Sequence, residues 1–233
     1  MKIGFCFYGL LTDSYQGRES VQEKDYRHCW PNLYRNVVEP FLKDHECHIF
    51  VSTYETKQEI KQEMINLIKP EQVIYSDKQS STPFTSKINV FRLLDNKNLD
   101  FIIHCRLDLH FHQPFSTYNI DYNKFNFLFR EKDHWHLRYS NDNVYMWPHR
   151  MTNLVEDSLR RTYRIVRPTT HCTHGLHIKL SEVIGQEEIN FISNDEDRSD
   201  VNSYYTICKR ELGSNRPNIH PEVVERFKTF IDV

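Results

Sequence analysis

The sequence contains no alanine and only 6 glycines among its 233 residues, although both are normally among the commonest residues of proteins. Scarce glycine argues against collagen-like structure and repeats, and the many aromatic and β-branched residues exclude a disordered or low-complexity chain. Alanine and glycine codons are rich in G and C, whereas those of the abundant Asn, Lys, Ile, Tyr and Phe are rich in A and T. We therefore interpret the bias as a mark of the genome, and expect the chain to fold.

Long apolar runs and a basic excess are also missing. No apolar stretch approaches the ~20 residues that a membrane-spanning helix needs, and the first apolar run is too short for a signal peptide. With a net charge of −2 and a pI near 6.7, the chain has no positive field that would hold nucleic acid or an anionic membrane. We expect a soluble, cytoplasmic protein without a nucleic-acid partner and without a transmembrane segment.

The six cysteines lie far apart and form no CxxC pair. An even number could make three disulfides, but without a signal sequence free thiols in a reducing compartment are the better interpretation. Two local His/Cys clusters, at 45–48 and 171–174, have no second cluster at the spacing of a zinc site. Structural zinc is therefore not expected.

Apolar runs and amphipathic segments alternate regularly over the first ~110 residues. The pattern predicts strands at 3–8, 47–52, 72–75 and 99–105, and helices at 31–42, 56–69 and 86–96. Such a β-α-β-α-β-α-β order implies a parallel sheet covered by helices, as in doubly wound nucleotide-binding folds. Later strands are predicted at 125–130, 144–147 and 189–193, and later helices from 148, over 175–184 and from 221. The fold class is therefore α/β, a Rossmann-type, mostly parallel central sheet flanked by helices in a single domain.

Ligands of an open parallel sheet bind outside the carboxyl ends of its strands. The absence of GxGxxG and GxxxxGK[ST] argues against dehydrogenases and P-loop NTPases, and the absence of GxSxG argues against acyl transfer. The residues that follow the predicted strands, or begin a helix near them, are the candidates for ligand binding: Phe7, Tyr8, Gly9, Thr53, Tyr54, Ser86, Arg106 and Asp108.

Arg106 and Asp108 are the most informative of these candidates. They directly follow the most apolar predicted strand and share one side of the chain by the period-2 rule, so a guanidinium and a carboxylate would project together. An ion pair that merely caps the strand end is the alternative, and the pattern alone leaves both open. The rings of Tyr8 and Tyr54 could likewise stack on a base or simply pack in the core.

The run LDFIIHCRLDLHF at 99–111 resembles the signature of a hydrophobic strand followed by R-x-D-L and an aromatic residue. That signature belongs to GT-A-type glycosyltransferases found in capsule and glycan gene clusters of bacteria and in large DNA viruses. The segments 3–9, 36–40, 48–53 and 140–143 are similar, in order, to other parts of the same family. The resemblance thus extends over most of the chain, although each motif is short.

The resemblance implies a single GT-A-like domain over 1–233, with a nucleotide-binding half at 1–115 and an acceptor-side half at 116–233. It implies transfer of a sugar from a nucleotide-diphosphate sugar, with a UDP-sugar favoured, to a hydroxyl of a glycan or glycoprotein acceptor. The eight candidates above would bind the donor. A viral or microbial source fits the AT-rich composition, and the protein would act in the host cytoplasm if viral.

The family usually holds the donor diphosphate through a divalent metal on a D-x-D motif, but Arg106 stands here in place of the first Asp. Two versions stay open. Either Asp108 and a distal histidine, His174 or His177, hold Mn²⁺ or Mg²⁺, which we favour slightly, or Arg106 neutralises the diphosphate without a metal. For an inverting transfer Asp142 is the expected catalytic base, with a turn residue as its alternative interpretation.

Two other functions share this fold. A degenerate glycosyltransferase fold that binds a glycan or a partner protein is supported by the missing first Asp. A sugar nucleotidyltransferase is the weaker alternative, because its first loop is normally basic and rich in glycine, whereas this one has only Gly9 and Gly17.

Overall fold

The computed structural model describes residues 1–9, 11–13, 24–77, 83–132, 140–165, 175–193, 195–197 and 202–207. The strands are, in chain order, β1 Lys2–Tyr8, β2 Thr12–Asp13, β3 Lys24–Asp25, β4 Glu46–Tyr54, β5 Gln72–Ser76, β6 Phe101–Arg106, β7 Leu109–Phe111, β8 Phe125–Phe127, β9 Arg130–Glu131, β10 Val144–Pro148, β11 Ile189–Phe191, β12 Glu196–Asp197 and β13 Tyr205–Ile207. The α-helices are α1 Tyr26–Leu33, α2 Glu39–Leu42, α3 Gln58–Ile68, α4 Pro83–Leu94, α5 Thr152–Ile165 and α6 Leu176–Ile184. A π-helix, Tyr34–Val38, joins α1 to α2, and short 3-10 helices cover Phe115–Thr117, His149–Met151 and Gln186–Glu188.

Seven strands form one mostly parallel sheet in the order β11-β8-β10-β6-β1-β4-β5. β1 runs parallel to β4 and β6, β4 to β5, and β8 to β11. Within this sheet only β10 is antiparallel, to β6 on one side and β8 on the other. Three small pairs, β13 with β7, β12 with β9 and β2 with β3, lie outside it. The predicted α/β fold with a mostly parallel central sheet is confirmed.

The two faces of the sheet carry separate cores because alternate residues of a strand point to opposite sides. On β1, Phe5 and Phe7 belong to the core under α1, the π-helix, α2 and α3. Cys6 and Tyr8 belong to the other core, under α4, α5 and α6. The central strands are covered on both sides, which is why they are almost continuously apolar in the sequence.

Some boundaries differ from the sequence prediction. The first helix begins at Tyr26, five residues before the predicted start at Pro31, because Tyr26, Cys29 and Trp30 also pack into the core. α4 begins at Pro83 rather than Ser86, with proline at its first position, where a missing N–H costs nothing. The predicted strand at 125–130 is divided into β8 and β9. The helix predicted from 221 lies outside the described residues.

No helix in the described ranges combines the length and the apolar character needed to cross a membrane. Of the six cysteines, the structure describes Cys6, Cys29, Cys47 and Cys105, and all four are free thiols.

Candidate functional site

The central strands β1 and β6 end side by side where the sheet changes its direction of growth. After β1 the chain adds β4 and β5 on one side, and it then crosses back to place β6 on the other side of β1. Tyr8 at the end of β1 lies opposite Arg106 at the end of β6 in the register of this pair. Ligands of open α/β sheets bind in the crevice at such a switch point. The candidate site, called the crevice below, therefore lies beyond Tyr8 and Arg106.

A guanidinium–carboxylate fork stands at the end of β6. Nε and Nη2 of Arg106 donate to Oδ1 and Oδ2 of Asp108 over 2.8 and 2.5 Å. The two side chains are largely buried, with 17% and 12% of their surface exposed. Two parallel charge-assisted hydrogen bonds fix the plane of a guanidinium as well as its position. Arg106 is therefore a cation of defined orientation.

Asn143 holds the same guanidinium from a second direction. Nη1 of Arg106 donates to Oδ1 of Asn143 over 2.8 Å, and the Arg106 backbone N–H donates to the Asn143 carbonyl over 3.2 Å. An arginine side chain has five N–H groups. Asp108 and Asn143 use three, so one on each terminal nitrogen has no hydrogen-bond partner among the described residues. These two groups are suited to the oxygens of an anionic ligand.

Arg106 stays charged in this setting. Burial on its own would lower the pKa of Arg106, but the neighbouring charges of Asp108 and Asp142 outweigh burial, so that the pKa is raised. A cation that is buried, oriented and permanently ionised is the kind of group that binds phosphate oxygens.

Asn143 is in turn fixed by the small sheet of β7 and β13. Its Nδ2 donates to the phenol oxygen of Tyr205 over 3.0 Å, and both side chains are buried. Tyr205 begins β13, which pairs with β7, the strand that follows Asp108 in the chain. Burial raises the pKa of Tyr205 well above its ordinary value, so this phenol stays neutral. The amide of Asn143 thereby keeps its oxygen on Arg106.

The main-chain carbonyl of Asp142 is held by side chains from two other elements. The hydroxyl of Tyr8 donates to it over 3.1 Å, and the ammonium of Lys87 in α4 donates to the same oxygen. The Asp142 side chain is partly exposed. Burial raises the pKa of Tyr8 and of Tyr205, and the charge of Asp142 raises both further. The charge of Asp142 thus acts on Tyr8, Tyr205 and Arg106, which places its carboxyl at the crevice.

Asn141 explains why this segment has a fixed shape. Its side chain is fully buried; Oδ1 accepts the backbone N–H of Leu128 over 2.9 Å, and Nδ2 donates to the carbonyl of Val144 over 2.8 Å. The amide thus ties the start of β10 to the end of β8. Asp142 and Asn143 are presented to the crevice from a braced turn.

Tyr54 and Ser86 lie together on the β4 side of Arg106. The pKa of Tyr54 is raised by burial, while hydrogen bonds from the side chain and backbone of Ser86 and the charge of Arg106 lower it. Tyr54 is 7% exposed and Ser86 1% exposed. The structure thus brings six of the predicted site residues to one place: Tyr8, Tyr54, Ser86, Arg106, Asp108 and Asp142.

Three other predicted residues have different surroundings. Gly9 lies at the edge of the crevice with φ +124°, a conformation that favours glycine, and its N–H donates to the carbonyl of Ser52 over 3.2 Å. Phe7 points to the opposite face of the sheet, where its ring meets Trp30 edge to face at 5.3 Å. Thr53 is fully buried and, by strand alternation, faces away from Tyr54. The structure does not bring Phe7 and Thr53 to the crevice.

Three residues of the crevice were not among those predicted from the sequence: Lys87, Asn143 and Tyr205. Lys87 had a visible signal, because it shares the apolar stripe of α4 with Val90 and Phe91 at i+3 and i+4, and a charge on such a stripe is unusual. Asn143 lies in the segment 140–143 that resembles the family, but nothing in the sequence indicated that its side chain meets Arg106. Tyr205 had no signal, since its position follows from strand pairing.

The described residues do not fit a resident divalent cation. Both carboxylate oxygens of Asp108 accept hydrogen bonds from Arg106, and a guanidinium adjacent to the carboxylate repels a metal ion. Among these residues no three His, Cys, Asp or Glu side chains are grouped as metal ligands. Of the two histidines predicted as the distal ligand, His174 lies outside the described residues, and His177 is buried with its ring edge to face against Phe127 at 5.8 Å.

No family model matches the chain, and no curated protein matches it. Among solved structures, the apo form of the glycosyltransferase GlyE from Streptococcus pneumoniae TIGR4 is similar to 81% of this chain, with a TM-score of 0.46 and 14% identity. The chain spans 44% of the length of that protein.

Proposed function

We propose that this protein is a glycosyltransferase that binds a nucleotide-diphosphate sugar, with a UDP-sugar favoured, in the crevice. The sugar would pass to a hydroxyl of a glycan or glycoprotein. The observation that carries the proposal is Arg106 at the switch point of the sheet, fixed by Asp108 and Asn143, with two N–H groups to which no described residue is hydrogen-bonded. The resemblance of residues 99–111 to a glycosyltransferase signature supports the same assignment.

Arg106 is suited to the chemical demand of the leaving group. When the bond between the anomeric carbon and the diphosphate oxygen breaks, its electron pair leaves with the nucleoside diphosphate, whose negative charge increases. A fixed cation aimed at that oxygen stabilises the transition state without reorganisation. Tyr54 and Ser86 border the same side of Arg106, where the rest of the donor would lie.

Asp142 is the residue that we assign as the base of an inverting transfer. The acceptor oxygen attacks the anomeric carbon, and the proton it loses passes to the Asp142 carboxylate. Asp142 is partly exposed, whereas the neighbouring carboxyl of Glu131 is 6% exposed and so less open to an acceptor. Such proton transfer contributes about 10²–10⁴-fold to a rate.

The donor diphosphate would be neutralised by Arg106 rather than by a metal. Because Asp108 is engaged by the guanidinium, we expect UDP to bind with the same affinity, within about twofold, in Mn²⁺ and in EDTA. Isothermal titration calorimetry in the two buffers measures this. A loss of UDP binding in EDTA would instead favour a metal site completed by residues outside the described ranges, His174 among them.

A panel of sugar nucleotides tests the function itself. The purified protein is incubated with UDP-glucose, UDP-galactose, UDP-N-acetylglucosamine and GDP-mannose, and release of the nucleoside diphosphate is measured. We expect slow hydrolysis of at least one UDP-sugar, with water as the acceptor. Absence of both binding and hydrolysis for every donor, with and without Mn²⁺, would contradict the proposal.

A binding module without turnover is the second candidate. It is favoured by Arg106 itself, which replaces a carboxylate that the resembling family normally uses. Calorimetry with UDP and GDP separates the two functions, because a module that recognises a glycan or a partner protein need not bind either nucleotide.

A further inference from the structure

Lys87 is a buried cation in the floor of the crevice. It lies in the second turn of α4, and the residue is 4% exposed. Its Nζ stands 5.2 Å from the ring centre of Tyr8 and 5.1 Å from that of Tyr145. An ammonium is expensive to bury and is retained only where its surroundings compensate the charge. The two rings and the main-chain oxygen of Asp142 supply this compensation for Lys87.

The hydrogen bond of Lys87 goes to the residue that we assign as the base. Nζ donates to the main-chain oxygen of Asp142, which also accepts from the Tyr8 hydroxyl. Both donors restrain the segment, but only Lys87 brings a positive charge to it. The carboxyl and the restrained oxygen belong to one residue, so the hydrogen bond places the positive charge of Lys87 beside the residue that carries the carboxyl.

The charge of Lys87 is also felt by His104, in the neighbouring strand β6. Burial lowers the pKa of His104 well below its ordinary value, and the charge of Lys87 lowers it further. His104 therefore stays neutral under the Tyr8 ring, which it stacks against at 4.3 Å. The charged and titratable groups that the described residues place around Asp142 include Tyr8, Lys87, Arg106 and Tyr205, together with two carboxyls: that of Asp108, which pairs with Arg106, and that of Glu131, whose charge acts on Tyr205.

We propose that Lys87 is a positioning residue for Asp142: it fixes the main chain at 142 and keeps the carboxyl ionised until an acceptor hydroxyl delivers its proton. An opposite charge close to a carboxyl favours the ionised form. The proposal rests on the proposed function, in which Asp142 is the base. A residue that only packed on the buried side of α4 would not need a positive charge, whereas this role requires one.

The direct test follows the Asp142 carboxyl without any substrate. Protein labelled with ¹³C at the aspartate carboxyl carbons is titrated by NMR, and the Asp142 signal is identified by its loss in Asp142→Asn. In Lys87→Met we expect the titration midpoint of that signal to rise by about one pH unit. Lys87→Arg should leave the midpoint unchanged. Tyr8→Phe, which removes a bond to the same oxygen but no charge, should also leave it unchanged.

Lys87→Gln provides a second neutral variant in case Lys87→Met does not fold. It keeps a donor for the Asp142 oxygen and loses only the charge, so the same rise is expected. An unchanged midpoint in either folded neutral variant would overturn the proposal. A rise in the Tyr8→Phe variant of equal size would do so too, because the charge would then be irrelevant.

Turnover gives an independent readout. With the UDP-sugar that is hydrolysed fastest, the acid limb of kcat should move to higher pH in Lys87→Gln and stay in place in Lys87→Arg, with KM little changed in both. If no donor is turned over, the proposed function fails while the NMR result still decides whether Lys87 acts on Asp142.

Discussion

The two halves of the central sheet supply the crevice in opposite ways. The strands β1, β4 and β6 run parallel, so each delivers to the crevice the residues at or after its end, among them Tyr8 and Arg106. β10 runs antiparallel beside β6, so it delivers the residues that precede it, Asp142 and Asn143. One reversed strand thus brings a carboxyl to the edge where the parallel strands have placed a guanidinium.

The difference separates two tasks. The parallel half carries the cation that we expect to bind the donor diphosphate, and the segment before β10 carries the base that we expect to act on the acceptor. Asn143 links them, because its side chain binds Arg106 while its neighbour Asp142 faces the crevice. If the tasks are separate, changes in the two halves should affect rate and affinity differently.

The largest effect is expected from Asp142→Asn, on the antiparallel side. The amide cannot accept the acceptor proton, so kcat for donor hydrolysis should fall by about 10²–10⁴-fold. The hydrogen bonds from Tyr8 and Lys87 go to the main chain and are retained, so UDP affinity should stay within about threefold. Steady-state kinetics and calorimetry measure the two quantities. The exposed Asp95→Asn is the matched control, and an equal loss of affinity and rate in Asp142→Asn would show that the tasks are not separate.

Arg106→Gln should have the next largest effect, on the parallel side. It removes the oriented cation, and hydrogen bonds to charged groups contribute about 1.5–3 kcal/mol each, so UDP affinity should fall about 100-fold. Arg150→Gln removes a surface arginine paired with Glu188 and should leave binding unchanged. Unaltered UDP binding by Arg106→Gln would remove the guanidinium from the donor site.

His104→Phe tests the parallel half away from the ligand, at the buried ring that stacks under Tyr8. Burial lowers the pKa of His104 in the folded protein, so as the pH falls below about 6.5 the histidine is protonated in the unfolded chain but not in the folded one. The free energy of unfolding therefore decreases as the pH falls through this range. By pH 5 this loss amounts to about 2 kcal/mol, which the variant should avoid while keeping a ring against Tyr8. Urea unfolding at pH 7 and pH 5 measures it; His110, whose pKa burial lowers to about 4, leaves a residual slope in both proteins. An identical pH dependence of the two proteins would contradict the assignment.

The smallest effect is expected from Gly4→Ala, at the far end of β1 from the crevice. An added Cβ would lie 2.9 Å from Leu99 Cδ1 and 3.1 Å from Ile102 Cδ1, and both are ends of flexible side chains that can shift. The free energy of unfolding should fall by about 1 kcal/mol. UDP affinity should not change, and a change larger than about threefold would mean that strain in β1 reaches the crevice.

The sequence predicts the parallel half well for a physical reason. Buried parallel strands are continuous apolar runs, and alternation alone places Arg106 and Asp108 on one side of the chain. The spacing of apolar residues does not show whether β10 runs parallel or antiparallel to its neighbours. The hydrogen bonds of Asn143 with Arg106 and Tyr205 depend on that direction, so the sequence does not predict them. Phe7 shows the converse limit: it ends a strand at the right edge, but its parity sends the ring to the opposite core.

The restraint on residue 142 has a consequence for how the chemistry could change over time. Tyr8 and Lys87 grip a main-chain oxygen that every amino acid possesses. The restraint on the main chain is therefore independent of which side chain residue 142 carries. Asp142→Gly would keep both hydrogen bonds to the main-chain oxygen. It would also leave a space beside the donor, in place of the carboxyl, that is large enough for formate. Restored turnover of Asp142→Gly on addition of formate would show that the segment keeps its position without the aspartate side chain. Residue 142 could then be exchanged in evolution without any other change in the crevice.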